Sequence, residues 1–200
     1  MKSHLNTITT RFNEELQQQI NGTLPQGHIY KLGMPSQALL SNLDNHPIEM
    51  AASTLEIKSS REYKSNHPFD LKDIANLPKA LAHPLAVFES ETNPGRTVVL
   101  TELKDKNGGF FVAVIDVMKK NRINIINTIR SLYPKGSNAR IAKWFLGESH
   151  RDIGRNLLKW VDKEKTLNWL SGNATDVRSA GLSVKSTAKI IQNFENTKSF

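Results

Sequence analysis

Asp105-Lys106-Asn107-Gly108-Gly109 is the stretch that most restricts the fold, because it joins two runs that read as strands. Asn and Gly tolerate the positive backbone dihedrals of a tight hairpin turn, and residues rich in Thr, Val and Phe lie on both sides. Strands are expected at 96–104 and 110–118. A strand at 84–89 precedes them behind the Asn93-Pro94-Gly95 turn, and one at 123–133 follows the Lys119-Lys120-Asn121 turn. Together they predict a meander of four antiparallel strands over residues 84–133.

Helical patterns flank this region. Leu5, Ile8, Phe12, Leu16 and Ile20 recur at three- and four-residue spacing before Asn21-Gly22, which predicts an amphipathic helix over 3–20. Residues 23–33 are punctuated by Pro25, Gly27 and Gly33, and Pro35 suits the start of a short helix over 36–43. His46-Pro47-Ile48-Glu49-Met50 reads as a brief edge strand. Ser53 and Glu56 form a capping box for a helix running to about Tyr63. Asp70 caps another through Leu71, Ile74 and Leu77, broken or kinked at Pro78. Further helices are expected at 139–146, at 152–170 through Leu157, Trp160, Val161 and Trp169, and at 185–193. The expected fold class is α+β: N-terminal helices, a four-stranded antiparallel sheet, then C-terminal helices. Residues 1–27 read as a helical arm and 28–200 as one domain.

Charge narrows the partners. Lys and Arg number 27 against 19 acidic residues, a formal charge of +8, which favours an anionic partner through steering and phosphate contacts. The chain has no cysteine, which excludes disulfides, thiolate catalysis and cysteine-ligated zinc. No apolar run is long enough to span a bilayer and no signal-peptide core opens the sequence, so a soluble protein is expected. No paired-histidine helix, acidic coordination cluster or glycine-rich phosphate loop is present, so neither metal nor cofactor is expected.

Two segments carry candidate chemistry. Asn66-His67-Pro68-Phe69 places an imidazole in a loop, with an ordinary pKa near neutrality, suited to acid/base work. The bland alternative is a loop histidine that caps a helix or bonds to backbone. Arg130-Ser131-Leu132-Tyr133-Pro134-Lys135 closes the last strand. Period-two geometry puts Ser131, Tyr133 and Lys135 on one side of the sheet, with Arg130 and Leu132 on the other unless a bulge reverses the parity. Arg96 and Thr101 on neighbouring strands are candidates for the same face. In the bland reading Ser131 and Tyr133 are a half-buried edge and Lys135 is a solvated charge. Trp144, Trp160 and Trp169 lie in expected helical segments and read as core. His83 reads as a turn residue.

The succession LGMPSQALLSN, HPIEMAASTLEIK, NHPFDLKDIANLPKALAHPLAVFES, VVLTEL, INTIRSLYPKG and KIIQNFEN resembles the phage MuF C-terminal domain family over about residues 28–196. That family is counted within the superfamily that shares a fold with barnase, EndoU, the tRNA-cutting colicins and RelE. The resemblance implies helices before a four-stranded antiparallel sheet and a toxin-like, metal-independent ribonuclease. His67, Ser131, Tyr133 and Lys135 would be its catalytic residues, with Arg96, Thr101 and Arg130 binding substrate. It further implies RNA (tRNA, mRNA or rRNA) as partner, an acidic immunity protein or antitoxin, and action in a bacterial cytoplasm after delivery from a phage particle or secretion system. The alternative is a non-catalytic, phage-derived nucleic-acid-binding or assembly module. The oligomeric state is left open, since the apolar stripe of the first helix fits either an internal or an intermolecular contact.

Overall fold

A computed structural model describes residues 2–59, 69–120, 124–135, 138–145 and 157–172, together with 189 and 192. Its centre is a seven-stranded mixed sheet in the order β1-β2-β6-β5-β4-β3-β7. The strands are β1 (Ile29–Gly33), β2 (Ile48–Ala51), β3 (Ala86–Glu89), β4 (Thr97–Lys104), β5 (Phe110–Lys120), β6 (Asn124–Lys135) and β7 (Leu158–Val161). Every neighbouring pair is antiparallel except β2 and β6, which run parallel. The helices are α1 (Lys2–Ile20), α2 (Ser53–Ser59), α3 (Leu77–Ala82), α4 (Asn138–Phe145) and α5 (Lys163–Gly172).

The expected four-stranded antiparallel sheet is therefore incorrect, and each added strand was hidden for a physical reason. β1 lies in the segment punctuated by Pro25, Gly27 and Gly33, where no strand is expected, and has only five residues, the last of them Gly33. β2 is interior rather than an edge, because it pairs β1 on one side and β6 on the other. β7 falls within the helix expected over 152–170. Leu157, Leu158, Trp160 and Val161 are all buried, and a short strand buried on both faces gives an apolar run that also fits helical spacing. Trp160 accordingly sits on a strand, paired with Val87, not on a helix. The helix expected over 36–43 is only a single 3-10 turn at Leu39–Ser41. Pro78 opens α3 rather than breaking it, since its missing N–H costs nothing in a first turn. The helix expected over 185–193 and the end of the capping-box helix from 60 to about 63 lie outside the described residues, apart from 189 and 192.

Two apolar layers sandwich the sheet. On the first face α1 contributes Phe12 and Leu16, and α2 and α3 contribute Leu55, Leu77 and Leu81. These close over Tyr30, Met50, Val99, Phe111, Ala113, Ile129 and Leu132 of the strands. α1 ends where Gly22 adopts φ +72°, with the Thr23 N–H bonded back to the Gln18 carbonyl. On the second face α4 contributes Ile141 and Phe145 and α5 contributes Trp169. They cover Ala86, Phe88, Leu100, Phe110, Val112, Leu158 and Val161. No described helix is long and apolar enough to cross a membrane.

Candidate phosphate-binding face

The second face has two unlike halves. The half made by β7, β3 and the adjoining ends of β4 and β5 is apolar and lies under α4 and α5. The other half is polar, and strand register defines it. Tyr30, Met50, Ile115 and Ile129 point into the first-face core, so by alternation Lys31, Glu49, Asp116 and Thr128 point to the second face. Lys31 is in register with Glu49, Glu49 with Thr128, and Thr128 with Asp116. Arg96, just before the Thr97 that pairs with Ile115, extends this row to β4. The result is a lateral row across five strands: Lys31, Glu49, Thr128, Asp116 and Arg96.

A bulge brings a second arginine to the row. Val114 pairs with Ser131 while Ile115 pairs with Ile129, so Arg130 is the extra residue of β6. The bulge resets the alternation, and Arg130 reaches Asp116 on the face that also carries Ser131. Arg96 Nε donates to Asp116 Oδ2 at 3.3 Å, and Arg130 Nε lies 3.6 Å from the same oxygen. Each guanidinium thus meets the carboxylate through Nε, and among the described residues the two terminal amino groups of each have no hydrogen-bond partner, which suits them to an anion. Arg96, Asp116 and Arg130 keep 36%, 26% and 44% of their side chains exposed. The trio carries a net charge of +1 and sits where a phosphate can reach it.

The remaining residues named from sequence fare differently. Thr101 is fully buried; its hydroxyl donates to the Phe111 carbonyl at 2.9 Å and accepts from the Leu103 N–H, fastening an irregular stretch of β4. Tyr133 is half-buried beside α4, and burial raises its pKa above the ordinary tyrosine value. The Lys135 ammonium lies 4.5 Å over the Trp144 ring, a cation–π contact. His67 lies outside the described residues. Phe69, the first described residue after it, packs edge-on against Phe111 on the first face, with ring centroids 4.9 Å apart. His83 caps the C-terminus of α3 and is exposed.

Asp116 and Glu49 are not among the candidate residues that the sequence motifs single out. Asp116 is the one acid in the 110–120 run and shares strand parity with Val112 and Val114, an isolated carboxylate on an otherwise apolar strand. That signal was legible. Its meeting with Arg130 was not, because it depends on the bulge.

A cavity of about 400 Å³ lies at the opposite end of β4, bordered by Glu102, Lys104, Phe110, Lys165 and Trp169. Its cations are engaged: Lys165 with Glu102 at 2.6 Å, and Lys104 4.7 Å over the Phe110 ring.

Among known proteins, the family model described as the phage MuF-C-terminal domain matches residues 58–168, more than half of the chain. The match takes in β3 to β7 and leaves out α1, β1 and β2. No curated protein and no solved structure matches.

Proposed function

Because the chain belongs to the phage MuF-C-terminal domain family, we propose that its polar sheet face binds RNA and cleaves it by metal-independent transesterification. Asp116 takes the proton of the 2′-hydroxyl, and Arg96 and Arg130 hold the phosphate. The observation that carries this reading is the carboxylate gripped at one oxygen by two arginines, on a face open to solvent. Transesterification at phosphorus needs a base beside the attacking hydroxyl and fixed positive charge around the pentacoordinate transition state. Asp116 Oδ1, which has no partner among the described residues, is available as the base. The two guanidinium forks supply the charge. Ser131 on the same strand adds a hydroxyl donor, and His67 stays in the proposal as a residue of the segment between 59 and 69.

On this reading the chain is toxin-like and is grouped with barnase, EndoU, the colicins and RelE. Its +8 charge suits an acidic immunity protein or antitoxin as well as RNA. A non-catalytic nucleic-acid-binding or assembly module is the second reading, favoured by the fact that Asp116 is already paired with both arginines. Incubation of purified protein with total RNA in a chelator separates the two. Cleavage by the wild type, lost by about 10²-fold or more in Asp116→Asn with its melting temperature kept, supports the enzyme. Retarded but intact RNA supports the module.

A further inference from the structure

We infer that Glu49 is the second proton-transfer group of this face, the acid that protonates the leaving 5′-oxygen. The inference rests on the RNA-cleavage reading and extends it into β1 and β2, which lie outside the matched segment. Three observations carry it.

Glu49 sits on the same face as Asp116 and in the same lateral row, with Thr128 of β6 between them. Two strand spacings separate the carboxylate-bearing positions, ~10 Å between Cα atoms. That separation is on the scale that one phosphodiester can bridge with a hydrogen bond of ~3 Å at each end. Such a phosphate lies over β6, the strand that carries Thr128, Arg130 and Ser131.

Glu49 is also chemically uncommitted. It is half-buried, and among the described residues no cation or hydrogen-bond donor is paired with its carboxylate, although Lys31 is its cross-strand neighbour. Asp116, by contrast, is paired with two arginines. Two carboxylates in unlike surroundings are suited to opposite proton roles. The charged groups around Glu49 on its own face are Lys31 of β1 and, across Thr128, Asp116 and Arg130; Glu56 of α2 acts on Tyr30, which belongs to the other face.

Finally, the position of Glu49 is fixed. β2 is locked between β1 and β6, and the buried Asn127 side chain donates to the Asp44 and His46 carbonyls just before it, at 2.9 and 2.6 Å.

The step balances. Asp116 accepts the 2′-hydroxyl proton as the 2′-oxygen bonds to phosphorus. The bond from phosphorus to the 5′-oxygen breaks, and Glu49 gives that oxygen its proton. The products are a 2′,3′-cyclic phosphate and a 5′-hydroxyl.

Leaving-group dependence tests the assignment. Wild type, Glu49→Gln, Asp116→Asn and His67→Ala are assayed on a mixed-sequence RNA oligomer and on the four nucleoside 3′-(4-nitrophenyl phosphates), whose leaving group needs no acid. Glu49→Gln is expected to lose about 10²-fold or more in kcat/KM on RNA but less than about threefold on the aryl esters. Asp116→Asn loses activity on both. Equal losses on both substrates, no loss, or the leaving-group signature appearing in His67→Ala instead would overturn the role of Glu49 while leaving the ribonuclease reading intact. A wild type that binds the oligomer and cleaves neither substrate overturns both.

Discussion

On the first face of the sheet, three buried polar side chains are bound to backbone. Thr97 exchanges hydrogen bonds with Asn42, Thr101 holds the Phe111 carbonyl, and Asn127 holds two loop carbonyls. On the polar half of the second face, Arg96 and Arg130 both pair with Asp116, and the three keep a quarter to almost half of their side chains in water. Both sets are polar residues of one sheet, yet the first is spent on the fold and the second is left exposed to solvent. A polar residue on a strand is informative about function only once its face is known. Thr101 and Arg96 looked equivalent in sequence, and the structure separates them.

Substitutions can break this contrast, and the largest loss of stability belongs to the first face. Phe111→Ala removes a fully buried ring between Phe69 and the sheet and is expected to cost ~3–5 kcal/mol in denaturant unfolding. Asn127→Ala leaves the Asp44 and His46 carbonyls without their donor and is expected to cost ~1–3 kcal/mol by the same measurement. A third test uses pH. Burial first, and then the Glu15 and Glu56 carboxylates, push the Tyr30 hydroxyl far above its ordinary value. The folded state therefore keeps a proton that the unfolded chain loses above pH ~10. That stability is complete below this pH and drains away as the pH rises toward the raised value. Tyr30→Phe is expected to flatten this alkaline decline, read as unfolding free energy against pH. Tyr133, raised by burial alone, is expected to contribute a smaller decline.

The smallest effect on stability belongs to the second face. Arg130→Ala removes a half-exposed ion pair and is expected to cost at most ~1 kcal/mol. It should nevertheless lower the slope of log affinity for single-stranded RNA against log salt by ~0.7. A loss of several kcal/mol would show that the trio is structural and erase the contrast.

What the sequence disclosed follows the same physics. The Asp105–Gly109 turn was legible because glycine and asparagine announce it: Gly108 has φ +81°, and the Asp105 side chain caps the Gly109 N–H. The Asp70 cap was legible too, its carboxylate accepting from the Lys72 N–H. The parallel pairing of β2 with β6 joins Glu49 to Thr128 across most of the matched domain, and no local pattern encodes it. β7 was hidden because Leu157, Trp160 and Val161 satisfy helical and buried-strand spacing alike. The candidate site was half legible: Arg96 and Arg130 were named, but the meeting of Arg130 with the Asp116 carboxylate became visible only with the bulge. The row of Ser131, Tyr133 and Lys135 does lie on one side of the sheet, as period two implies, and α4 packs at its far end, where Trp144 meets Lys135.

The most direct test of the account is an NMR titration of the intact protein with a short RNA oligomer methylated at every 2′-oxygen, which cannot be cleaved by transesterification. Amide shifts are predicted to concentrate at Lys31, Glu49, Thr128, Asp116, Arg96 and Arg130, with α1 and α3 unmoved. Shifts confined to the Glu102, Lys104 and Lys165 end of β4, or to the helices of the first face, would contradict it.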